Sequence, residues 1–302
     1  YGSQIYPEVP AALAVVLAVA TATGTRSRWN SIGFVLAITA LPWLSIKYLP
    51  VAFTIFLLAS LTKDGTGKKF LSKSSAIVFV LMAVVYLLFH QLVYQGWTVY
   101  SAGDHFVGSE FEVIGGDPDI WGRSNRIIGL LVDKGFGLAA WTPSFLILPI
   151  AIAFNCRKKV DGWHYLILPF LIGWSTATWI AFTMHGWWWP GRQTVAVLPL
   201  GIIAITMLLD HFKKFLLPTI LATAIGSIGW IWVAIEAQTG RRALIVDFED
   251  TSWPWYKVWS KIFPDFHRMP TNTMWIAAFW ALVVSLLVIV GWCSADRTKT
   301  SL

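Results

Sequence analysis

Charge is scarce in this sequence. Only 13% of its 302 residues are Asp, Glu, Lys or Arg, about half the share usual in a soluble domain. That shortage excludes a soluble globular enzyme. Cysteine is scarcer still: Cys156 and Cys293 are too few for a metal site, and both fall beside basic clusters at helix ends, where no disulfide is expected. Zinc-type histidine spacing is lacking, and no glycine-rich phosphate loop follows a strand. No internal repeat stands out. What is abundant is apolar and aromatic: 56% of residues are hydrophobic, with 19 Trp, 19 Phe and 8 Tyr. Such a composition excludes a disordered tract. The net charge of +7 would point to nucleic acid on a soluble protein, but on so apolar a chain it first points to cytoplasmic loops. The basic residues are spread over several short segments, so no nucleic-acid partner is expected. Residue 1 is Tyr rather than Met, and no basic segment precedes the apolar run from Ala11. That run is therefore not a signal peptide. The chain reads as the carboxyl part of a longer protein.

Crossing a bilayer takes about 20 mostly apolar residues. Stretches approaching that length are Val9–Thr23, Ser31–Ile46, Tyr48–Thr62, Ala76–Tyr94, Gly137–Phe154, Trp163–Thr183, Thr194–Leu209, Phe215–Ile235 and Thr273–Trp292. The third lies between Lys47 and Lys63 and relies on snorkelling lysines at its ends. Pro42 and Pro50 flank Lys47 and favour a break there. The expected fold is all-α: a polytopic membrane protein of about nine transmembrane helices, one domain over residues 1–302, with two long extracytoplasmic loops at 95–136 and 236–272.

Alternate loops divide the charge unequally. One set (around Arg26, Lys63–Lys73, Arg157–Lys159, Lys213–Lys214 and Arg297–Lys299) holds thirteen basic and four acidic residues. The other holds ten basic and twelve acidic. Positive residues in short loops mark the cytoplasmic face. The amino end is then outside and the carboxyl end inside, in a cell inner or plasma membrane. Both long loops lie outside, where function concentrates. Trp253-Pro254-Trp255-Tyr256 has the composition of an interface belt, and short amphipathic helices are expected around Trp255–Phe263.

Candidate chemistry clusters at the outer helix ends. The turn His185-Gly186-Trp187-Trp188-Trp189-Pro190-Gly191-Arg192 offers flat apolar faces for a sugar ring or lipid headgroup, and a planar guanidinium suited to phosphate. The alternative is an aromatic belt with a snorkelling arginine. Glu8, in Tyr6-Pro7-Glu8, either complements the helix dipole or lines a cavity. Lys47, after Pro42-Trp43-Leu44, is either an anchor or an anion contact. Asp104 with His105 reads as a solvated loop, and Asp117-Pro118-Asp119 as a turn before it reads as a metal site. Asp133-Lys134, before Gly135-Phe136-Gly137, reads as helix capping.

Four motifs occur in order: YPEVPAALAV, LPWLSIKYLP, LLVDKGFGLAAWTPSFLI and WWWPGRQTVAVLPL. Together they resemble bacterial multi-pass glycosyltransferases of the GT-C superfamily, the polyprenyl-phosphate-sugar-dependent type. The resemblance implies a polyprenyl-phosphate sugar donor, an acceptor it does not identify, a lipid bilayer as the surroundings, and transfer on the extracytoplasmic side. It implies Arg192 as the donor-phosphate contact and Lys47 as a weaker one. Tyr6, Glu8, Trp43, His185, Trp187, Trp188 and Trp189 would line the cavity. The catalytic carboxylate of such enzymes lies in an outside loop upstream of the Tyr-Pro-Glu helix, and nothing here corresponds to it. The fragment alone is therefore expected to be inactive. A divalent metal is left open. The rival readings are a transporter or flippase of lipid-linked saccharide, and a non-catalytic membrane protein. A coupled carrier would carry charges within its spans, and here His90 is the nearest polar group.

Overall fold

The computed structural model describes residues 6–25, 27–62, 70–71, 73–97, 120–181, 190–241, 250–266 and 271–297. Among them there is no strand, and the fold is all-helical. In chain order the helices are α1 (Glu8–Thr23), α2 (Arg28–Leu44), α3 (Leu49–Leu61), α4 (Lys73–Tyr94), α5 (Ile120–Ser124), α6 (Arg126–Val132) and α7 (Leu138–Trp141). They continue with α8 (Leu148–Lys158), α9 (Trp163–Ser175), α10 (Leu198–His211), α11 (Leu216–Gln238), α12 (Pro254–Trp259) and α13 (Thr271–Arg297). Among the described residues, three stretches are long and apolar enough to cross a membrane: Ala76–Tyr94, Lys213–Gln238 and Thr273–Asp296. They are also little buried, with Leu92 81% exposed and Trp275 79%. A helix both apolar and uncovered needs an apolar solvent, and the bilayer is one.

The chain forms two compact units. The first comprises Tyr1–Ile120, His164–Phe182 and Val195–Pro199. In it α1 packs along α2 through small residues: Ala11, Ala14, Ala18 and Ala22 are buried at helical spacing. Ser27 caps α2, its side chain accepting from the Asn30 N–H at 3.0 Å. The chain breaks as expected near Pro42 and Pro50. Ser45 is extended (φ −170°, ψ 138°), Ile46–Tyr48 is a 3-10 turn, and Pro50 sits in the first turn of α3. Phe56 stacks on Phe79 of α4 at 4.3 Å. After α9 the helix widens into a π-helical turn over Thr176–Ile180.

The second unit comprises Trp121–Trp163, Thr183–Thr194 and Leu200–Leu302. Here α8 and α13 form an extended helix pair, fastened at one end by Arg157 Nε and Asp296 at 2.9 Å. Asn155 is fully buried and bridges helices, its Nδ2 donating to Ala151 and Ala204 carbonyls. Trp141 is the centre of a ring stack, with Trp230 at 5.0 Å and Tyr256 at 4.3 Å.

Several expected boundaries change. The single span Gly137–Phe154 is two helices, α7 and α8, joined by a 3-10 turn over Pro143–Ile147. Thr142 is held at φ −135°, ψ 92°, because a residue before proline is pushed out of the helical region. Helix α10 starts at Leu198 instead of Thr194, after the 3-10 turn Arg192–Thr194. The stretch 95–136 contains α5 and α6, and 236–272 contains α12, near where a short helix was expected. The aromatics there divide: Trp255 is 41% exposed, as a belt residue would be, and others are covered. Trp253 (5% exposed), Tyr256 (1%) and Phe263 (3%) are buried in protein.

Candidate functional site

The first unit brings Glu8 and Lys47 together. Lys47 Nζ lies 3.2 Å from Glu8 Oε1, with the carboxylate buried and the lysine one-fifth exposed. Two local features make the pair. Pro7-Glu8 opens α1, placing the acid at the positive end of the helix dipole. The break at Ser45 turns Lys47 back toward it, with its ammonium 5.2 Å from the Tyr48 ring. Lys47 is thus neutralised within its own unit. Trp43 does something different: it packs edge-on to Tyr86 at 5.2 Å and beside His90 at 5.5 Å. His90 is buried and shares a hydrogen bond with the Tyr86 carbonyl at 2.8 Å. Tyr6 is half-buried at the start of α1.

The second unit holds Arg192. It is half-buried and opens the 3-10 turn Arg192–Thr194. The turn before it needs glycine. Gly191 has φ +74°, and a Cβ there would strike Leu138. The Gly191 N–H donates to the Phe136 carbonyl at 3.0 Å. Thr194 closes the turn, its hydroxyl donating to the Gly191 carbonyl at 2.8 Å.

Phe136 belongs to a second turn, and its organiser is Asp133. Asp133 Oδ1 accepts from the N–H groups of Gly135 (2.9 Å) and Phe136 (2.8 Å), and Oδ2 from that of Phe266 (3.0 Å). The carboxylate is 2% exposed. The same turn is tied from other directions: Lys134 N–H to the Pro264 carbonyl at 2.8 Å, Tyr256 hydroxyl to the Lys134 carbonyl at 2.9 Å, and Trp141 Nε1 to the Gly135 carbonyl at 2.8 Å. Asp133 therefore does not cap α7, whose N-cap is Gly137 with no side-chain bond. It closes a turn and joins it to residues 133 positions away. Asp two residues before Gly is a readable turn signal; the distant partner is not.

Glu236 went unnoticed in the sequence. It is 5% exposed and accepts from the Ser252 N–H (2.7 Å), the Thr251 hydroxyl (3.0 Å), the Trp232 indole (3.2 Å) and the Ser252 hydroxyl. It fastens the segment before α12 to the end of α11. Gly229, about two turns earlier, leaves room for the Trp253 ring.

His185, Trp187, Trp188 and Trp189 lie outside the described residues, as do Asp104, His105, Asp117 and Asp119. Among the described residues no group of three or more His, Cys, Asp or Glu is placed to hold a metal. Compared with protein-family models, curated proteins and solved structures, the chain matches none.

Proposed function

We propose that the chain is part of a GT-C-type membrane glycosyltransferase of about nine spans. Its amino end lies outside and its carboxyl end in the cytoplasm. It moves a sugar from a polyprenyl-phosphate donor to an acceptor on the outer side. A carboxylate beyond these residues takes the proton of the acceptor hydroxyl. The acceptor oxygen bonds to the anomeric carbon, the bond from that carbon to phosphate oxygen breaks, and the electron pair leaves with the phosphate. Arg192 meets that phosphate as its negative charge grows.

The observation that carries the reading is the seating of Arg192. A half-buried arginine follows a glycine of fixed left-handed geometry, itself hydrogen-bonded to Phe136. A cation carried on backbone that is fixed before substrate arrives stabilises developing charge with less reorganisation. Lys47, neutralised by Glu8, is left out of the phosphate contact.

The test is Arg192→Ala in the full protein, reconstituted with a polyprenyl-phosphate sugar. Turnover should fall by roughly 10²-fold or more. Arg192→Lys should recover part of it, since lysine keeps the charge and loses the fork. Unchanged turnover in Arg192→Ala would sink the assignment.

A further inference from the structure

We propose that Asp133 is a positioning residue that seats Arg192 through the Gly135–Phe136 turn, which rests on reading Arg192 as the phosphate contact. The connection runs through three steps. The carboxylate binds the Gly135 and Phe136 N–H groups, and the Asp133 carbonyl accepts from the Gly137 N–H at 2.9 Å, so both ends of the turn that carries the Phe136 carbonyl close on Asp133. That carbonyl holds the Gly191 N–H at 3.0 Å. Gly191, confined by its φ of +74° and by Leu138, passes the placement to the next residue, Arg192.

The anchorage behind Asp133 is what makes it a reference point and not a passive neighbour. Its other oxygen binds Phe266 N–H, while Pro264 and Tyr256 hold the two sides of Lys134. The turn is thus fixed to a segment far along the chain before it fixes Gly191. A carboxylate serves better than an amide here, because bonds from N–H to an ionised acceptor are about twice as strong as neutral ones. Without the carboxylate the three N–H groups lose their acceptor, and with an amide in its place one oxygen remains and the bonds weaken; the turn relaxes and the carbonyl that holds Gly191 moves. A displacement of about 1 Å at a residue that acts on the transition state costs on the order of 10²-fold in rate.

Two measurements on the full chain in lipid nanodiscs test this. The first follows modification of Arg192 by phenylglyoxal, read by peptide mass spectrometry. Arg157, paired with Asp296 and lying over Trp292, is the reference in the same unit. Asp133→Ala should change the Arg192 rate several-fold, and Asp133→Asn should change it less, with Arg157 unaltered in both. An Arg192 rate equal to wild type in both variants overturns the proposal, and so does an equal change at Arg157, which would signal general loosening. The second is a double-mutant cycle on sugar transfer. Asp133→Asn should lower kcat by at least about tenfold with little change in KM. In an Arg192→Ala background the same substitution should cost less than about twofold more, because the residue it serves is gone. Losses that multiply overturn the proposal. If Arg192→Ala leaves transfer unchanged, the proposed function falls, and the labelling result still decides the positioning.

Discussion

Glu236→Ala removes one side chain and strips four donors of their acceptor. The carboxylate is 5% exposed and binds the Ser252 N–H and hydroxyl, the Thr251 hydroxyl and the Trp232 indole. A hydrogen bond to a charged group contributes about 1.5–3 kcal/mol net, and a buried donor left unpaired costs about 1–3 kcal/mol. These do not simply add. Ser252 and Trp232 are exposed, so their donors can turn to water, and the indole also has the Ser252 hydroxyl at 3.0 Å. Thr251 is fully buried and its hydroxyl has no such recourse. The loss reduces to about one charged bond plus one stranded hydroxyl, roughly 3–4 kcal/mol. It falls on the segment entering α12, because the Trp253 ring that fills the space beside Gly229 depends on the backbone just before it. Hydrogen–deuterium exchange at the Ser252 and Trp253 amides reads this directly. At 1.4 kcal/mol per tenfold, exchange should quicken by about 10²- to 10³-fold, with the α8–α13 pair less affected. Glu236→Gln should fall between, because the amide keeps one acceptor and turns its own donors toward Thr251 or Ser252. Wild-type exchange at both amides in Glu236→Ala would refute the view that this carboxylate holds the segment.

Lys47→Met should destabilise the first unit by roughly 2–3 kcal/mol, because it strands the buried Glu8 carboxylate, with some relief from the one-fifth exposure of the site. Adding Glu8→Gln should recover most of that loss in thermal unfolding, and a double variant no more stable than Lys47→Met would show that the pair is not coupled. For the proposed orientation, Cys156 and Cys293 are the reporters, the second of them exposed. A membrane-impermeant maleimide should leave both unlabelled on intact cells and label Cys293 after permeabilisation. Labelling of Cys293 from outside would reverse the topology.

Helix positions were legible where one chemical property ran long enough. Ala76–Tyr94 carries no Asp, Glu, Lys or Arg, nor does Thr273–Trp292, and α4 and α13 cover both. The Pro42–Pro50 break was legible because proline acts on its own neighbours. Pro143 acts as locally, yet its effect was hidden inside an apolar run that looked like one span. The aromatic segment at 253–256 was legible only in part, for a related reason. Composition tells that tryptophan and tyrosine want an apolar body and a polar tip satisfied, and both a membrane interface and a protein interior meet that need. Tyr256 resolves it: its ring stacks on Trp141 and its hydroxyl reaches the Lys134 carbonyl.

The site divides in the same way. Glu8, Lys47 and Arg192 stood out in sequence because charge is so sparse that each one needs a reason. Nothing in the sequence could say that Glu8 and Lys47, 39 residues apart, neutralise one another. Nor could it say that Asp133 and Glu236 were the carboxylates that organise backbone.

Hydropathy and proline act over a few turns and leave a local record, so an all-helical chain was readable from the residues, with about nine spans expected; among the described residues three helices are long and apolar enough to cross a bilayer. Which charges pair with one another, and which turn carries Arg192, emerged from the folded chain. Ion pairs and backbone hydrogen bonds between distant segments depend on distances that folding alone sets.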